Sequence, residues 1–387
     1  MQSTHLREHN LSAILRALAA AGGPISRAGL AAATGLTKPT VSKQVEELID
    51  GGLIAEGTPV SMGAGRPMVP LRLAEGTLAA IGLEVTADHL SCLALDLGGR
   101  VLVRRDSEAP LAQEEPSRAV EQGAALVREV LAELGALPVA GLVVAVPGRI
   151  APDDGRVLSA PNLTWENVPY VRELVAVLEE PSFPVSAQND NRLSVLTELD
   201  ARPGGSFLYV RGSTGVGGAV VLGGEVLDGA HGWAGEFGHT VVVPDGELCR
   251  CGRRGCLEAY ISRHSLAQRA GLDPDVRLED LVDRLAASRD RAEVIGVIGR
   301  SLGLAVANAL NVLDLETVVL SGYLAPIAEE ITPVVRETVQ RHALAAEAGP
   351  IAIDRADSLA DPALHGAARA ALAPVFADPG AWMARGR

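Results

Sequence analysis

The sequence predicts an α/β fold of two or three domains with a helical N-terminal segment, on three observations. The chain has 387 residues, which is too many for one ordinary domain. From about residue 78 onward, apolar runs of strand length alternate with longer helical patterns. Residues 1 to 73 instead hold three short helical patterns separated by glycine-containing breaks. Hydrophobic residues make up 48% of the chain, which is enough for large buried cores.

Charge is distributed unevenly between residues 1 to 73, here called the head, and the rest, here called the body. The head carries seven Lys or Arg and five Asp or Glu, so its net charge is +2. The whole chain carries 34 Lys or Arg and 48 Asp or Glu. The body therefore has 27 basic and 43 acidic residues, and its net charge is −16. A slightly basic head on a strongly acidic body indicates that only the head meets a polyanion.

The head is predicted to contain three helices with identifiable caps. Apolar residues recur at helical spacing from residue 4 to residue 20, and the glycines before Pro24 end that helix. Ser26 is placed to cap a second helix, and Thr37 to cap a third with Pro39 in its first turn, where a missing N–H costs nothing. The third helix is predicted to bury Val41, Val45, Leu48 and Ile49 and to expose Lys38, Thr40, Ser42, Lys43 and Gln44.

Three such helices, followed by a strand, a turn and a strand, are typical of a winged helix-turn-helix. Lys38 and Lys43 are the only lysines of the chain, and both lie on the predicted recognition helix, where small hydroxyl side chains leave room to enter a major groove. Arg66 lies between Gly65 and Pro67 in the predicted wing, from which it would enter a narrow minor groove. The alternative is a small helical interaction domain whose lysines are merely solvated.

The densest motif of the chain spans residues 235 to 258. Four residues with metal-binding side chains lie within eighteen positions, namely His239, Cys249, Cys251 and Cys256. Their number and spacing predict a closed Cys3His shell around a structural Zn²⁺. The alternative is a disulfide in a secreted protein. It fits poorly, because a bridge between Cys249 and Cys251 would be strained.

This motif, G-E-F-G-H followed by C-x-C-G-x-x-G-C-L-E, resembles the signature of the ROK family, which contains sugar kinases, transcriptional repressors and unassigned proteins. The resemblance implies that His239 contacts both zinc and sugar and that Glu236 and Glu258 bind sugar hydroxyls. Carboxylates accept strong hydrogen bonds from hydroxyl groups, and a zinc loop would fix their separation before the ligand arrives. The resemblance covers nearly the whole chain, and the head is similar to that of ROK repressors, which ROK kinases lack.

For the body, periodicity alone predicts only alternating strands and helices. The predicted strands are 78–85, 90–97, 100–105, 139–146, 206–211, 219–222 and 317–321, and the predicted helices include 117–134 and 358–373. The residues beyond Pro374 are expected to form a mobile end. The strands fall into two similar halves, and the ROK resemblance implies a duplicated actin-like, ribonuclease H-like fold with a ligand cleft between the halves.

Asn189 and Asp190 end a predicted strand of the body just before a helix. The ROK resemblance implies that both bind sugar hydroxyls, and in ROK kinases the matching aspartate is the general base. The alternative is a helix cap, a position that Asn and Asp serve well.

The nucleotide side departs from the family's kinases. Where these carry a D-x-G-G-T turn, this chain has Glu84, Val85 and Thr86, whose side chains would obstruct a phosphate. The glycine-rich loop 212–218 keeps the family's form, but Tyr323 follows Gly322 where kinases have a glycine triplet. We therefore expect no catalytic residue, with Asp190 retained only as a sugar ligand.

The N-terminus has no apolar signal core, and no run of about 18 apolar residues is free of charge or glycine interruption. We therefore expect no membrane span and a cytoplasmic protein, in which cysteine clusters bind metal. Cys92 lies in an alternating apolar run and is predicted to be a buried core thiol. The expected domain boundaries are a head at 1–73, a linker at 74–77 and a ROK domain at 78–387 that includes a zinc loop at 238–258.

Together these features predict a sugar-responsive, DNA-binding transcriptional regulator that represses genes of carbohydrate uptake or catabolism. Its expected partners are an inverted-repeat operator, a sugar or sugar-phosphate effector, and further copies of the chain in a dimer or tetramer. The main alternative is an ATP-dependent ROK sugar kinase with an added DNA-binding head. A regulator that has lost its ligand is a third, weaker interpretation.

Overall fold

The head is a three-helix unit closed by a small sheet in the computed structural model, which describes residues 2–60, 68–274, 276–357 and 360–385. Its elements are α1 (Gln2–Ala20), α2 (Arg27–Thr34), α3 (Lys38–Asp50), β1 (Ile54–Glu56) and β2 (Leu71–Leu73), the two strands being antiparallel. The Ser26 side chain caps α2 by accepting from the Gly29 N–H at 3.0 Å, and Thr37 caps α3 by accepting from the Thr40 N–H at 3.3 Å. The predicted winged helix-turn-helix is confirmed. The wing residue Arg66 lies outside the described residues.

One side chain of α3 lies on the other face from the one predicted. Gln44, expected to be exposed, is 6% exposed. It lies three positions after Val41 and four before Leu48, both of which are buried, and side chains at this spacing share one helix face. Lys38 and Lys43 are exposed, as predicted.

The first lobe of the body is a five-stranded sheet between helices. In order across the sheet its strands are β10 (Val185–Asn189), β6 (Val139–Val146), β3 (Ala79–Val85), β4 (His89–Leu95) and β5 (Val101–Glu108). The other elements are α4 (Pro116–Leu134), β7 (Arg149–Ile150), β8 (Val157–Ala160), β9 (Trp165–Val168), α5 (Tyr170–Val177), α6 (Asp190–Val195) and a 3-10 turn (Leu111–Gln113). Cys92 on β4 is buried, as predicted, and burial raises the pKa of its thiol.

The second lobe repeats this sheet. Its order is β13 (Glu225–Val226), β12 (Val216–Leu222), β11 (Phe207–Gly212), β14 (Thr317–Gly322) and β15 (Ala352–Arg355). Its helices are α7 (Leu257–Ile261), α8 (Arg263–Arg269), α9 (Leu278–Ala287), α10 (Arg291–Leu313) and α11 (Ala328–His342), with 3-10 turns at Phe237–His239 and Leu344–Ala348. In both lobes three antiparallel strands are followed by two parallel ones, so the duplicated actin-like fold is confirmed.

Helix α10 is the one helix among the described residues that has the length and composition of a membrane span. Half of its most apolar 18-residue stretch is nevertheless buried inside the protein. Its glycines do not interrupt it. A Cβ on Gly299 would lie 2.5 Å from the Cβ of Val334, and one on Gly303 would lie 2.6 Å from the Cβ of Thr338. The glycines therefore mark where α11 packs closely against α10.

The C-terminal residues are ordered against the head, so the expectation of a mobile end after Pro374 was wrong. Helix α12 (Pro362–Ala377) runs through Pro374, and α13 (Pro379–Arg385) follows it. The Ser12 hydroxyl of α1 donates to the Phe376 carbonyl oxygen at 2.7 Å. Met383 packs against Gly51 at the end of α3, where an added Cβ would meet its sulfur at 2.0 Å. Head, first lobe and C-terminal helices thus share one apolar core.

Candidate functional site

A pocket of about 540 Å³, including its open mouth, lies between the two lobes. Turns after β6 and β10 form one wall, and the glycine-rich loop between β11 and β12 forms the opposite wall. The five predicted sugar-binding residues, Asn189, Asp190, Glu236, His239 and Glu258, all line this pocket. Asn189 and Glu258, which are 69 positions apart in the sequence, therefore meet at one site, at the carboxyl ends of the first-lobe strands β6 and β10.

Asn189 caps helix α6, as one of its two interpretations predicted, and it also lines the pocket. Its Oδ1 accepts from the Asn191 N–H at 2.9 Å and from the Arg192 N–H at 3.1 Å. Its Nδ2 donates to the Gly148 carbonyl oxygen at 3.0 Å. The cap fixes the side chain, and with it the neighbouring Asp190, before any ligand arrives.

Glu258 joins the pocket to the glycine-rich loop. Its side chain is buried, and its Oε2 accepts from the Val216 N–H at 2.9 Å. A Cβ on Gly215 would lie only 2.1 Å from that oxygen, so the loop can approach this closely only with glycine there. Glu236 lies across the pocket with Oε2 at 3.7 Å from His239 Nε2. Burial raises the pKa of Glu236, and the nearby His239 opposes that shift.

The predicted metal ligands form one cluster. The side-chain ligand atoms of His239, Cys249, Cys251 and Cys256 lie within 4.8 Å of one another. The Cys251 and Cys256 sulfurs are 3.8 Å apart, as are Cys249 Sγ and His239 Nδ1. A tetrahedral shell with Zn–S bonds of about 2.3 Å separates its sulfurs by about 3.8 Å. The donor set and its spacing therefore fit a tetrahedral metal ion, and these sulfurs are too far apart for a disulfide.

His239 connects the metal cluster to the pocket. Its Nδ1 lies 3.8 Å from Cys249 Sγ, while its Nε2 lies 3.7 Å from Glu236 Oε2. Cys249 Sγ is also 3.7 Å from Glu258 Oε1. Both pocket glutamates are thus adjacent to the cluster, as expected if a bound ion fixes their separation.

The family assignment rests on two matches. The ROK family model matches residues 80–373, and the MarR family model matches residues 12–60. The chain belongs to the ROK family. Over 306 residues it is 28% identical to the xylose repressor of Bacillus subtilis, covering 77% of this chain and 78% of that one. Over 346 residues it is 28% identical to the N-acetylglucosamine repressor of Escherichia coli O6:H1, covering 84% and 83%.

This ROK protein is similar in structure to a regulator and to a hexokinase of the family. A ROK family transcriptional regulator, described as a homolog of the E. coli MLC protein, superimposes with a TM-score of 0.78 and covers 98% of this chain and 100% of its own, at 24% identity. A ROK hexokinase from Thermus thermophilus superimposes with a TM-score of 0.61 and covers 77% and 99%, at 27% identity. The regulator thus shares the fold of the whole chain.

The side of the cleft next to Glu84, Val85 and Thr86, here called the phosphate side, holds a residue that was not predicted from the sequence. Arg211, near the end of β11, places Nη1 3.2 Å from Asp190 Oδ2 and Nη2 3.4 Å from Glu84 Oε1. Burial raises the pKa of both Glu84 and Asp190, and Arg211 opposes each shift. The available signal was an arginine in the apolar strand F-L-Y-V-R-G, directly before the glycine-rich loop.

Tyr323 occupies the space beside the same loop. Its side chain is buried, and a Cβ on Gly212 would lie 2.5 Å from its ring. Its hydroxyl donates to the Ile261 carbonyl oxygen. The ring therefore fills the region between β11 and α7.

The recognition helix of this ROK protein offers cations that have no acidic partner. Lys38 and Lys43 form no ion pair within the described residues, and Thr40 and Ser42 are half-buried beside them. Three of the five acidic residues of the head are instead paired with arginines: Glu46 and Glu56 with Arg27, and Glu47 with Arg7. The positive charge on α3 thus remains free to meet phosphates.

Proposed function

We propose that this ROK protein is a sugar-responsive transcriptional repressor. The observation that carries this proposal is one chain that joins a winged helix-turn-helix with free lysines to a pocket lined by carboxylates and an amide. Such groups recognise neutral polyols, because they accept and donate hydrogen bonds in fixed directions. Two relatives are named xylose repressor and N-acetylglucosamine repressor, and on this basis we propose that the effector is a pentose, a hexose, or a derivative such as an amino sugar or sugar phosphate.

In this proposal the sugar hydroxyls contact Asn189, Asp190, Glu236, His239 and Glu258. A structural Zn²⁺ is held by His239, Cys249, Cys251 and Cys256. Because Nδ1 of His239 faces the sulfurs, its Nε2 carries the proton and donates into the pocket. When bound, the ion supplies rigidity, since a closed four-ligand shell has no open position for a reactant.

The kinase alternative is supported by Asp190 and the intact glycine-rich loop. Three features of this chain oppose it. Val85 and Thr86 replace the glycines of the phosphate turn, and Tyr323 fills space beside the loop. Arg211 pairs with the carboxylate that a kinase would use as its base. We infer that the protein binds sugar without phosphorylating it.

The head would bind operator DNA through Lys38, Thr40, Ser42 and Lys43 on α3 and through Arg66 in the wing. We propose a dimer or tetramer built by the body and acting in the cytoplasm, so that two recognition helices meet an inverted repeat. The corresponding chain division is a head at 1–73, a linker at 74–77 and a ROK domain at 78–387 with its zinc loop at 238–258.

The first experiment is a thermal-shift screen against D-xylose, D-glucose, N-acetylglucosamine, their phosphates, and ATP with Mg²⁺. One sugar should raise the melting temperature while ATP does not, because a ligand that binds only the folded state stabilises it. A coupled assay on the same samples should show no ATP consumption, and sustained turnover would establish the kinase instead. Selection from random duplex DNA should return an inverted repeat, and the active sugar should weaken or abolish binding of the protein to this repeat.

A further inference from the structure

Two arginines of the second lobe bind the same hairpin of the first lobe, the β3–β4 hairpin at the phosphate side of the cleft. Arg211 on β11 contacts Glu84, near the end of β3. Arg263 on α8 places Nη1 2.7 Å from Asp88 Oδ2, in the turn between β3 and β4. These ion pairs therefore connect the lobes at the place where a ROK kinase is expected to hold nucleotide phosphates.

The Arg211 pair is the more strongly buried of the two. Relative exposures of the side chains are 11% for Arg211, 3% for Glu84 and 10% for Asp190. In the second pair Arg263 is 11% exposed and Asp88 is 46% exposed. Removing one partner of a buried ion pair is strongly destabilising, because the other charge is left unpaired in a poorly solvated place.

Asp190 is fixed by both of its carboxylate oxygens. Oδ2 meets Arg211 at 3.2 Å, and Oδ1 accepts from Asn191 Nδ2 at 2.9 Å. Asn191 is itself confined, since a Cβ on Gly217 would lie 2.0 Å from its Nδ2. The side chain is thus pre-positioned from the second lobe through Arg211 and the glycine-rich loop.

From this geometry we propose that Arg211 and Arg263 form an inter-lobe latch that closes the phosphate side of the cleft with protein cations in place of a nucleotide. The latch holds the lobes together on that side in the absence of any ligand. A sugar then contacts Asp190, which the latch already fixes, and changes the cleft at its zinc-loop side. Only this last consequence rests on the proposed function.

The test is hydrogen exchange of the full-length protein without sugar or DNA, compared among single variants. Arg211→Met and Arg263→Met should each speed exchange of amides in the β3–β4 hairpin by about tenfold or more. Arg105→Met is the matched control, because its ion pair with Glu133 joins β5 to α4 inside one lobe. Hairpin exchange no faster than in the control would overturn the latch.

Two further variants keep the test informative if Arg211→Met fails to fold. Arg211→Lys keeps the charge but cannot span both carboxylates as a guanidinium does, so intermediate exchange is expected. The triple variant E84Q/D190N/R211M removes every charge of the buried set. It should melt at a higher temperature than Arg211→Met, because no carboxylate remains unpaired. Equal melting temperatures for these two variants would contradict a role for the buried charges.

A second arm adds the sugar that stabilises the wild-type protein. Amides of the 3-10 turn Phe237–His239 and of α7 should exchange more slowly, while those of the β3–β4 hairpin should not change. Slowing of the hairpin by sugar would show that it is not latched beforehand. Because the first arm uses no ligand, loss of the latch and absence of a sugar response are separate outcomes.

Discussion

Glu258→Gln tests the sugar site most directly, since it removes one charge and keeps the shape of the side chain. Glu258 is 7% exposed, lines the pocket and lies 3.7 Å from the Cys249 sulfur of the predicted metal cluster. Glutamine keeps an oxygen that accepts from the Val216 N–H, now 2.9 Å from the carboxylate. The glycine-rich loop should therefore stay in place, and the loss should fall on the ligand.

The expected magnitude follows from the change in hydrogen-bond type. A hydrogen bond to a charged group contributes about 1.5–3 kcal/mol, against about 0.5–1.5 kcal/mol for a neutral pair. If two sugar hydroxyls donate to this carboxylate, the variant loses roughly 2–3 kcal/mol, which corresponds to a sugar Kd about 30- to 150-fold higher.

Isothermal titration calorimetry with the sugar found in the thermal-shift screen measures this change. Glu247→Gln is the control, since that side chain is half-exposed and pairs with Arg269 outside the pocket. Its Kd should stay within about twofold of wild type. Bound metal should be unchanged in both variants. An unaltered Kd for Glu258→Gln would refute the assignment of this residue to the sugar site.

Three further substitutions test the predicted metal cluster, the proposed DNA-binding surface of α3 and the glycine-rich loop. Cys251→Ser should lose bound zinc by elemental analysis together with the sugar-induced thermal shift, whereas zinc loss with normal sugar binding would separate the two. Lys43→Ala should weaken operator binding and reduce the slope of log K against log salt by about 0.9, while sugar affinity stays constant; an unchanged slope would place the DNA contact elsewhere. Gly215→Ala puts a methyl group 2.1 Å from a Glu258 oxygen and should abolish the sugar-induced shift, whereas Gly23→Ala, with nothing within 4 Å, should not.

Local features were predictable from the sequence. Ser26 and Thr37 cap their helices because a cap depends on residues only three positions away. The metal cluster was predictable because its four ligands lie within one short loop. The order of strands and helices in the body was predicted from the apolar runs. The duplicated fold was predicted from the resemblance to the ROK family.

Long-range features were not predictable in the same way. Arg211 was not predicted as a site residue, because its partner Glu84 is 127 positions away in the sequence. The C-terminal residues were predicted to be mobile because Met383 packs against Gly51 of the head, a contact across almost the whole length of the chain. Gln44 was predicted to be exposed because it is polar, but its position on the helix between Val41 and Leu48 places it on the buried face.

The packing of α12 and α13 on the head has a practical consequence for chimaeric regulators. Phe376 and Met383 contact the head, although the head lies at the other end of the chain. A chimaera that exchanges only residues 1–73 would leave Trp382 and Met383 facing a foreign surface. The interchangeable specificity module is therefore discontinuous, and we expect a transplanted head to work in a new host only when it carries its own C-terminal dozen residues.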